Sequence, residues 1–485
     1  MPQSSKGLVM LELLSWPSFL LGLMALLVCL MVRPANRFRV IAVFNLLFAF
    51  LLLEQAALSL LLVSLLNYVL VRFHKFSEEK TLLWIGVSLS LLPLMLLRLP
   101  VSFSFKEIWL PFALGFFSLQ QISALIDIRK TPGAKPESLL LWIAFSLFFP
   151  SLISGPISRW GHLSKSLMQP ELFNEGRGWN ALLLFLQAIF KKTVFALPLL
   201  KAVDLFFEAP KDYGIWAALV IGFCFRYTIW AELSAYTDWA RGMSSLLGVE
   251  LPPNFNRPFH SKRLAEFWRN WHMTLSNWLQ DYIFFPMAMG PLRRHVSPPA
   301  VMFISVILTF GVFGFWHGLT GTLLIMGFLK GLGVVSHEFV DKRLNYFFEK
   351  KKGLPVVRIF TYLIFLTLFV MIPTLLLRMS AGELMTLMVE KNFGLLKAYN
   401  SVSSLFINFR SDVPYRPQLV LLVLCMIAWE FLEHRSFKKN PDISKAKPII
   451  SHMTSSWQIV FLMSALVVWL LLAQFSSSLG FIYAR

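Results

Sequence analysis

Residues 41–70 read IAVFNLLFAFLLLEQAALSLLLVSLLNYVL. Apart from Glu54-Gln55 and two asparagines, the stretch is apolar or small throughout. As one helix, 40–71 would be about 48 Å long at ~1.5 Å per residue, well beyond a hydrocarbon core of roughly 30 Å. The polar pair in its middle predicts two short helices meeting in a hairpin. Outward from this run the same composition recurs at 8–32, 359–377 and 457–473. Over all 485 residues, 56% are hydrophobic and 15% charged, against about 25% charged in an average globular chain. The chain reads as an all-α polytopic membrane protein with no separate soluble domain. Candidate spans are 8–32, 40–54, 56–71, 82–98, 108–127, 138–156, 179–203, 214–232, 236–248, 264–289, 300–315, 319–340, 359–378, 416–434 and 457–479. Gly311, Gly314 and Gly318 loosen a helix, so 300–318 is expected to be broken or re-entrant.

The N-terminus does not read as a cleaved signal peptide. It carries a lone Lys6, its apolar run is long, and no small-residue cleavage site precedes Arg33. The net charge of +19 gathers in short segments between spans: Arg33, Arg37 and Arg39; Arg72, Lys75 and Lys80; Arg129, Lys130 and Lys135; Lys350 to Lys352; Arg435 to Lys447. The positive-inside rule puts these on the cytoplasmic face, where anionic lipid attracts them. Nucleic-acid binding is set aside, because no basic stripe with interleaved aromatics follows a soluble surface. The expected localisation is the bacterial cytoplasmic (inner) membrane, multi-pass, with both termini outward. The stretch 379–415 then lies outside, partly as an interfacial helix. Cys29, Cys224 and Cys425 sit in apolar context without a CxxC pair, so neither a disulfide framework nor a thiolate metal site is expected.

Two histidines carry the chemistry. His317 ends the run Phe310-Gly311-Val312-Phe313-Gly314-Phe315-Trp316-His317, and His272 lies in Phe267-Trp268-Arg269-Asn270-Trp271-His272. An ionisable residue inside a membrane segment is a functional candidate by default. A neutral imidazole is able to take a proton from a hydroxyl and act as general base. The bland alternative for His317 is a core histidine bonded to a carbonyl. Trp268, His272 and Ser276 recur at i, i+4 and i+8, which puts them on one helix face; an interfacial helix with tryptophans at headgroup level fits that stretch equally well. No HExxH pattern or third ligand accompanies the pair, and no metal is expected.

Several fragments occur together in a fixed order: Leu110-Pro111-Phe112-Ala113-Leu114-Gly115-Phe116 through Gln120-Gln121-Ile122-Ser123 to Asp127; Phe149-Pro150 to Gly155-Pro156-Ile157; Ser234-Ala235-Tyr236-Thr237-Asp238; Asn254-Phe255-Asn256-Arg257-Pro258-Phe259; Phe267-Trp268-Arg269-Asn270-Trp271-His272-Met273-Thr274-Leu275-Ser276 with Trp278-Leu279-Gln280-Asp281-Tyr282; and Gly314-Phe315-Trp316-His317-Gly318. Over roughly residues 40–340 the chain resembles the membrane-bound O-acyltransferase (MBOAT) family. It is similar to the bacterial branch that holds the alginate O-acetyltransferase membrane subunit and the teichoic acid D-alanyltransferase. The resemblance implies a ring of about a dozen helices, some short or re-entrant, around a transmembrane tunnel. It implies His317 as the catalytic histidine and His272 as a second required one, with the acyl donor entering from the cytoplasm and the acceptor outside. The end, Gly480-Phe481-Ile482-Tyr483-Ala484-Arg485, resembles a tyrosine motif of the same systems; Tyr483 reads as a covalent acyl carrier or as an aromatic anchor, and both readings stand.

The expected molecule is thus a single integral domain over 1–485, with core motifs at 108–340, C-terminal helices at 359–479 and a tyrosine motif at 480–485. It moves an acyl group, acetyl in the simplest case, from a cytosolic thioester (acyl-coenzyme A or an acyl carrier protein) towards hydroxyls of an extracytoplasmic polysaccharide or cell-wall glycan. No cofactor is bound, and a secreted or periplasmic esterase-like partner completes delivery. His317, His272 and Tyr483 are the catalytic candidates. Trp268, Trp271, Ser276, Trp316, Asp281 and Asn254 are expected along the tunnel. A lipid-linked sugar transporter or flippase is the first rival, but transporters commonly show inverted repeats and none is visible. A non-catalytic scaffold is the second, and it leaves two tryptophan-flanked histidines without a purpose.

Overall fold

The computed structural model describes residues 16–389 apart from 54, 99–109, 132, 172 and 348–353, together with 426 and 429. Every regular element among the described residues is helical. Among the described residues, six stretches are long and apolar enough to cross a membrane: Pro34–Leu51, Glu175–Glu208, Ile215–Leu246, Pro298–His317, Gly321–Tyr346 and Val356–Leu377. The chain is an all-α polytopic membrane protein. Helices Arg37–Leu53 and Gln55–Arg72 flank Glu54, so the hairpin expected there falls on an undescribed residue. The span expected at 416–434, apart from 426 and 429, and the span at 457–479 with the tyrosine motif at 480–485 also lie outside the described residues.

The chain divides into two compact units. One comprises 1–190, 233–253 and 442–485; the other comprises 191–232 and 254–441. The first is built on buried aromatic rings, with Trp142 and Phe145 packed on Trp160 at 5.3 and 5.0 Å. The span expected at 138–156 is not one helix. Helix Leu139–Ser146 stops and gives way to turns. Irregular backbone in apolar surroundings needs polar partners, and buried side chains supply them. Asn45 donates to Ala144 O at 2.9 Å and accepts from Phe149 N–H at 3.0 Å, while Gln120 Nε2 donates to Phe145 O at 2.6 Å. In the same unit Gln187 Nε2 donates to Asp238 at 2.8 Å, so this acidic motif residue serves as a buried anchor.

Three further expectations change. The two spans placed at 214–232 and 236–248 form one helix, Pro210–Leu246. Glu232, at the boundary between those two expected spans, is buried and accepts from Lys192 Nζ at 2.5 and 2.6 Å; with its charge paired, nothing interrupts the helix. The segment expected to be broken at 300–318 is instead a continuous helix, Pro298–His317. Its glycines admit a neighbour rather than loosening the backbone. A Cβ on Gly314 would collide with Leu323 O, and one on Gly327 with Phe310 O. Helix Gly321–Phe347 therefore packs backbone to backbone against it, the use of small residues common to membrane helix pairs. Conversely, the span expected at 264–289 breaks into Leu264–Asn270, Met273–Leu279 and shorter turns. No part of it is long enough to cross a bilayer.

Candidate active site

The break in that segment falls on the histidine. Trp271 is extended (φ −100°, ψ 127°), and His272 adopts the left-handed conformation (φ 43°, ψ 56°) ahead of the next helix. A non-glycine residue at positive φ is uncommon and costs on the order of 1 kcal/mol or more unless its surroundings hold it there. Here the surroundings are a loop that starts at Asn254. Met273 N–H donates to Asn254 O at 2.7 Å. The Asn254 side chain accepts from Thr274 Oγ1 at 2.6 Å and from Thr274 N–H at 3.3 Å. Asn256 N–H donates to Asn270 O at 3.0 Å, and Asn270 Nδ2 donates to Ser261 Oγ at 3.3 Å. Ser276 Oγ donates to Trp271 O at 2.9 Å, re-using a carbonyl that the kink freed from the helix ladder. The common face expected for Trp268, His272 and Ser276 is not formed, because two non-helical residues turn the chain between the first and the last. Asn254 and Ser276 act as clamps on this turn.

His272 is 5% exposed. Burial, aided by the nearby Arg226 charge, pushes its imidazole down to about 4, so it is neutral at physiological pH. Its ring centre lies 6.2 Å from that of Phe255; Phe255 in turn meets Trp271 edge-on at 5.2 Å.

His317 is placed by regular structure. It is the last residue of its helix, which ends as Gly318 N–H donates to Gly314 O and Phe315 O at 3.2 and 3.1 Å. Its half-buried ring packs against Phe313 at 4.6 Å and Trp316 at 4.8 Å. Phe313 meets Trp268 at 5.6 Å, which ties the His317 helix to the tryptophans of the His272 segment. Trp268, Trp271, Asn254 and His272 are all buried. Asp281 is exposed, on the wide turn Gln280–Phe284. Tyr483 lies outside the described residues.

Two cations complete the cluster. The Arg226 guanidinium stacks 3.6 Å from the Trp271 ring and 5.1 Å from that of Trp268. Lys330 Nζ lies 5.8 Å from Trp268 and 5.4 Å from Phe313. Reading the sequence for histidines passed over both, yet the signal was present. Each is an ionisable residue in an apolar run, within candidate spans Ile215–Leu246 and Gly321–Tyr346. The order of neighbours is His272, Arg226, Trp268, Lys330, Phe313, His317: two imidazoles with two buried cations and an indole between them.

Helices of bilayer length that surround such a cluster define an integral membrane protein with polar chemistry in its interior. Residues 43–377 match the model of MBOAT, the membrane-bound O-acyltransferase family, and the chain belongs to that family. Among characterised relatives it is 28% identical to the peptidoglycan O-acetyltransferase of Helicobacter pylori over 47% of each chain. It is 26% identical to the teichoic acid D-alanyltransferase of Streptococcus thermophilus, over 59% of this chain and 71% of the relative. It is also 26% identical to a probable alginate O-acetylase of Pseudomonas fluorescens, over 54% and 51% respectively. The match thus spans about half the length of the first and third of these relatives.

Proposed function

We propose that this chain is an O-acyltransferase that moves an acyl group, acetyl in the simplest case, from a cytosolic thioester to a hydroxyl and so towards an extracytoplasmic glycan. The observation that carries the reading is the His317 ring, set at the end of a candidate span and linked through Phe313 and Trp268 to the buried His272 segment. Relatives named for peptidoglycan, teichoic acid and alginate support a cell-envelope polymer as the eventual acceptor. In this reading the chain sits in the bacterial cytoplasmic membrane, and a secreted or periplasmic partner completes delivery.

In this mechanism a hydroxyl of the acceptor, or of an intermediate carrier such as Tyr483, attacks the thioester carbonyl while His317 accepts its proton. His272 stays neutral and orients the donor from the far side of the cation cluster. Trp268, Trp271 and Trp316 wall the passage and keep water from the thioester. The test is His317→Ala in liposomes supplied with labelled acyl thioester, alongside acceptor modification in cells. Loss of transfer with normal expression supports the assignment, and unchanged transfer removes His317 from the chemistry. For Tyr483, mass spectrometry of the C-terminal peptide without acceptor is expected to show an acyl adduct; an unmodified peptide leaves the residue as an anchor.

A further inference from the structure

Lys330 is 1% exposed. The acidic side chains of its own helix are engaged elsewhere: Glu338 with Arg263, and Asp341 with Arg263 and Arg358, at 3.0 to 3.1 Å. Among the described residues no carboxylate lies within ion-pair distance of the Lys330 ammonium. Its company is the faces of Trp268 and Phe313 and the like charge of Arg226, whose field reaches it. Ring faces offset only part of the cost of desolvating an ammonium, and a second cation adds to that cost. A lysine in this setting is best compensated when a negative charge forms beside it. Phe313, which carries Lys330 on its face, also packs on His317. Lys330 therefore stands one ring away from the proposed base.

We propose that Lys330 is a further catalytic residue, whose ammonium faces the sulfur of the acyl thioester and stabilises the thiolate as it leaves. This rests on the acyl-transfer reading above. In the step, the acceptor oxygen bonds to the acyl carbon and its proton passes to His317. The tetrahedral intermediate then collapses, the carbon–sulfur bond breaks, and the electron pair goes to sulfur. The proton held by His317 passes to the thiolate, leaving a thiol, an ester and a neutral imidazole. The attacking oxygen and the leaving sulfur occupy different corners of the tetrahedral carbon. A counter-charge for the sulfur thus belongs near the base but not against it, as Lys330 is, held by the Phe313 ring that also packs on His317. Preorganised charge aimed at a developing anion in a water-excluded site is commonly the largest single contribution to such a step.

The experiment compares two donors carrying the same acyl group, an alkyl thioester and an aryl thioester with a more acidic thiol, on the purified full-length chain in liposomes. The more acidic thiol leaves readily unaided. Lys330→Met is expected to lower kcat about 100-fold with the alkyl donor and only a few-fold with the aryl donor, with Lys330→Arg regaining much of the alkyl rate. Equal losses with both donors, or no loss with either, overturn the proposal. If the Met variant fails to fold, the wild-type protein still decides. With Lys330 in this role kcat varies little across thiols of graded acidity, and a steep dependence sinks the idea. A wild-type protein that turns over neither donor refutes the acyl-transfer reading itself, an outcome distinct from all of these.

Discussion

The segment that holds His272 and the helix pair that holds His317 solve one problem by opposite means. Each sets an imidazole among tryptophans inside a largely apolar protein. The His272 segment does so with irregular backbone: a left-handed residue fixed by hydrogen bonds from Asn254, Asn256, Asn270 and Ser276. The His317 pair does so with regular helices that touch through Gly314 and Gly327. The first arrangement depends on every polar group in the turn finding its partner. The second depends on the absence of side-chain atoms. The contrast suits their proposed tasks. A residue that orients a donor gains from a rigid, over-determined backbone, whereas a base at a helix end inherits its direction from the helix axis.

The largest effect is expected from damage to the helix pair. Gly314→Leu would drive a Cβ into Leu323 O, and the two helices cannot part without losing their contact. The expectation is loss of most folded protein, equivalent to several kcal/mol, on the order of 3 or more, read as the yield of monodisperse protein in detergent. A wild-type yield would mean that the glycines are not the packing device described.

Next comes the base. His317→Ala is expected to leave the thermal unfolding midpoint within a few degrees while lowering acyl transfer by roughly 10²–10⁴-fold, the span for general-base catalysis. A comparable loss of midpoint would show that the ring is structural, which would erase the functional contrast between the two regions.

The pH dependence sharpens it. The His272 imidazole falls from an unfolded value near 6.5 to about 4 in the folded chain. The unfolded state thus binds more protons between these values, and stability falls as pH drops from about 6.5 towards 4, by at most about 3 kcal/mol. His272→Asn tolerates the left-handed backbone and does not titrate. Thermal unfolding across that window is expected to be flatter for the variant, and equal slopes would place the titration elsewhere.

The smallest effect belongs to the clamp. Asn254→Ala leaves Thr274 N–H and Oγ1 without their acceptor, a loss of about 2 kcal/mol at ~1 kcal/mol per bond. Transfer is expected to fall further than stability, because His272 loses its mooring. An activity loss that merely tracks unfolded protein would make the clamp a stability element alone.

Much of the fold was legible because lipid imposes long apolar runs. Helices Lys80–Arg98, Leu110–Lys130 and Gly321–Phe347 fall where those runs are. What stayed hidden depended on partners distant in sequence. The unbroken helix over Pro210–Leu246 was hidden because Lys192, which neutralises Glu232, lies forty residues away. The glycines of Pro298–His317 read as breakers because their effect reverses once another backbone approaches. The kink at His272 was invisible because Asn254, which holds it, belongs to a loop with no periodicity. At the site, both histidines stood out beside tryptophan, but Arg226 and Lys330 did not. The rule that singles out intramembrane charge applies to them equally; no tryptophan-flanked motif marks them, because their aromatic partners lie on other segments of the chain.

The Lys192–Glu232 contact bears on how the protein is made. The stretches Glu175–Glu208 and Ile215–Leu246 are consecutive candidate spans, and Lys192 in one and Glu232 in the other are among the charges that a lone helix would expose to acyl chains, at about 2.5–3.5 kcal/mol for a residue such as Lys or Asp. If the two leave the translocon together as a hairpin, Lys192 and Glu232 reach lipid already paired; released singly, each helix would expose its member of the pair, which favours entry two helices at a time.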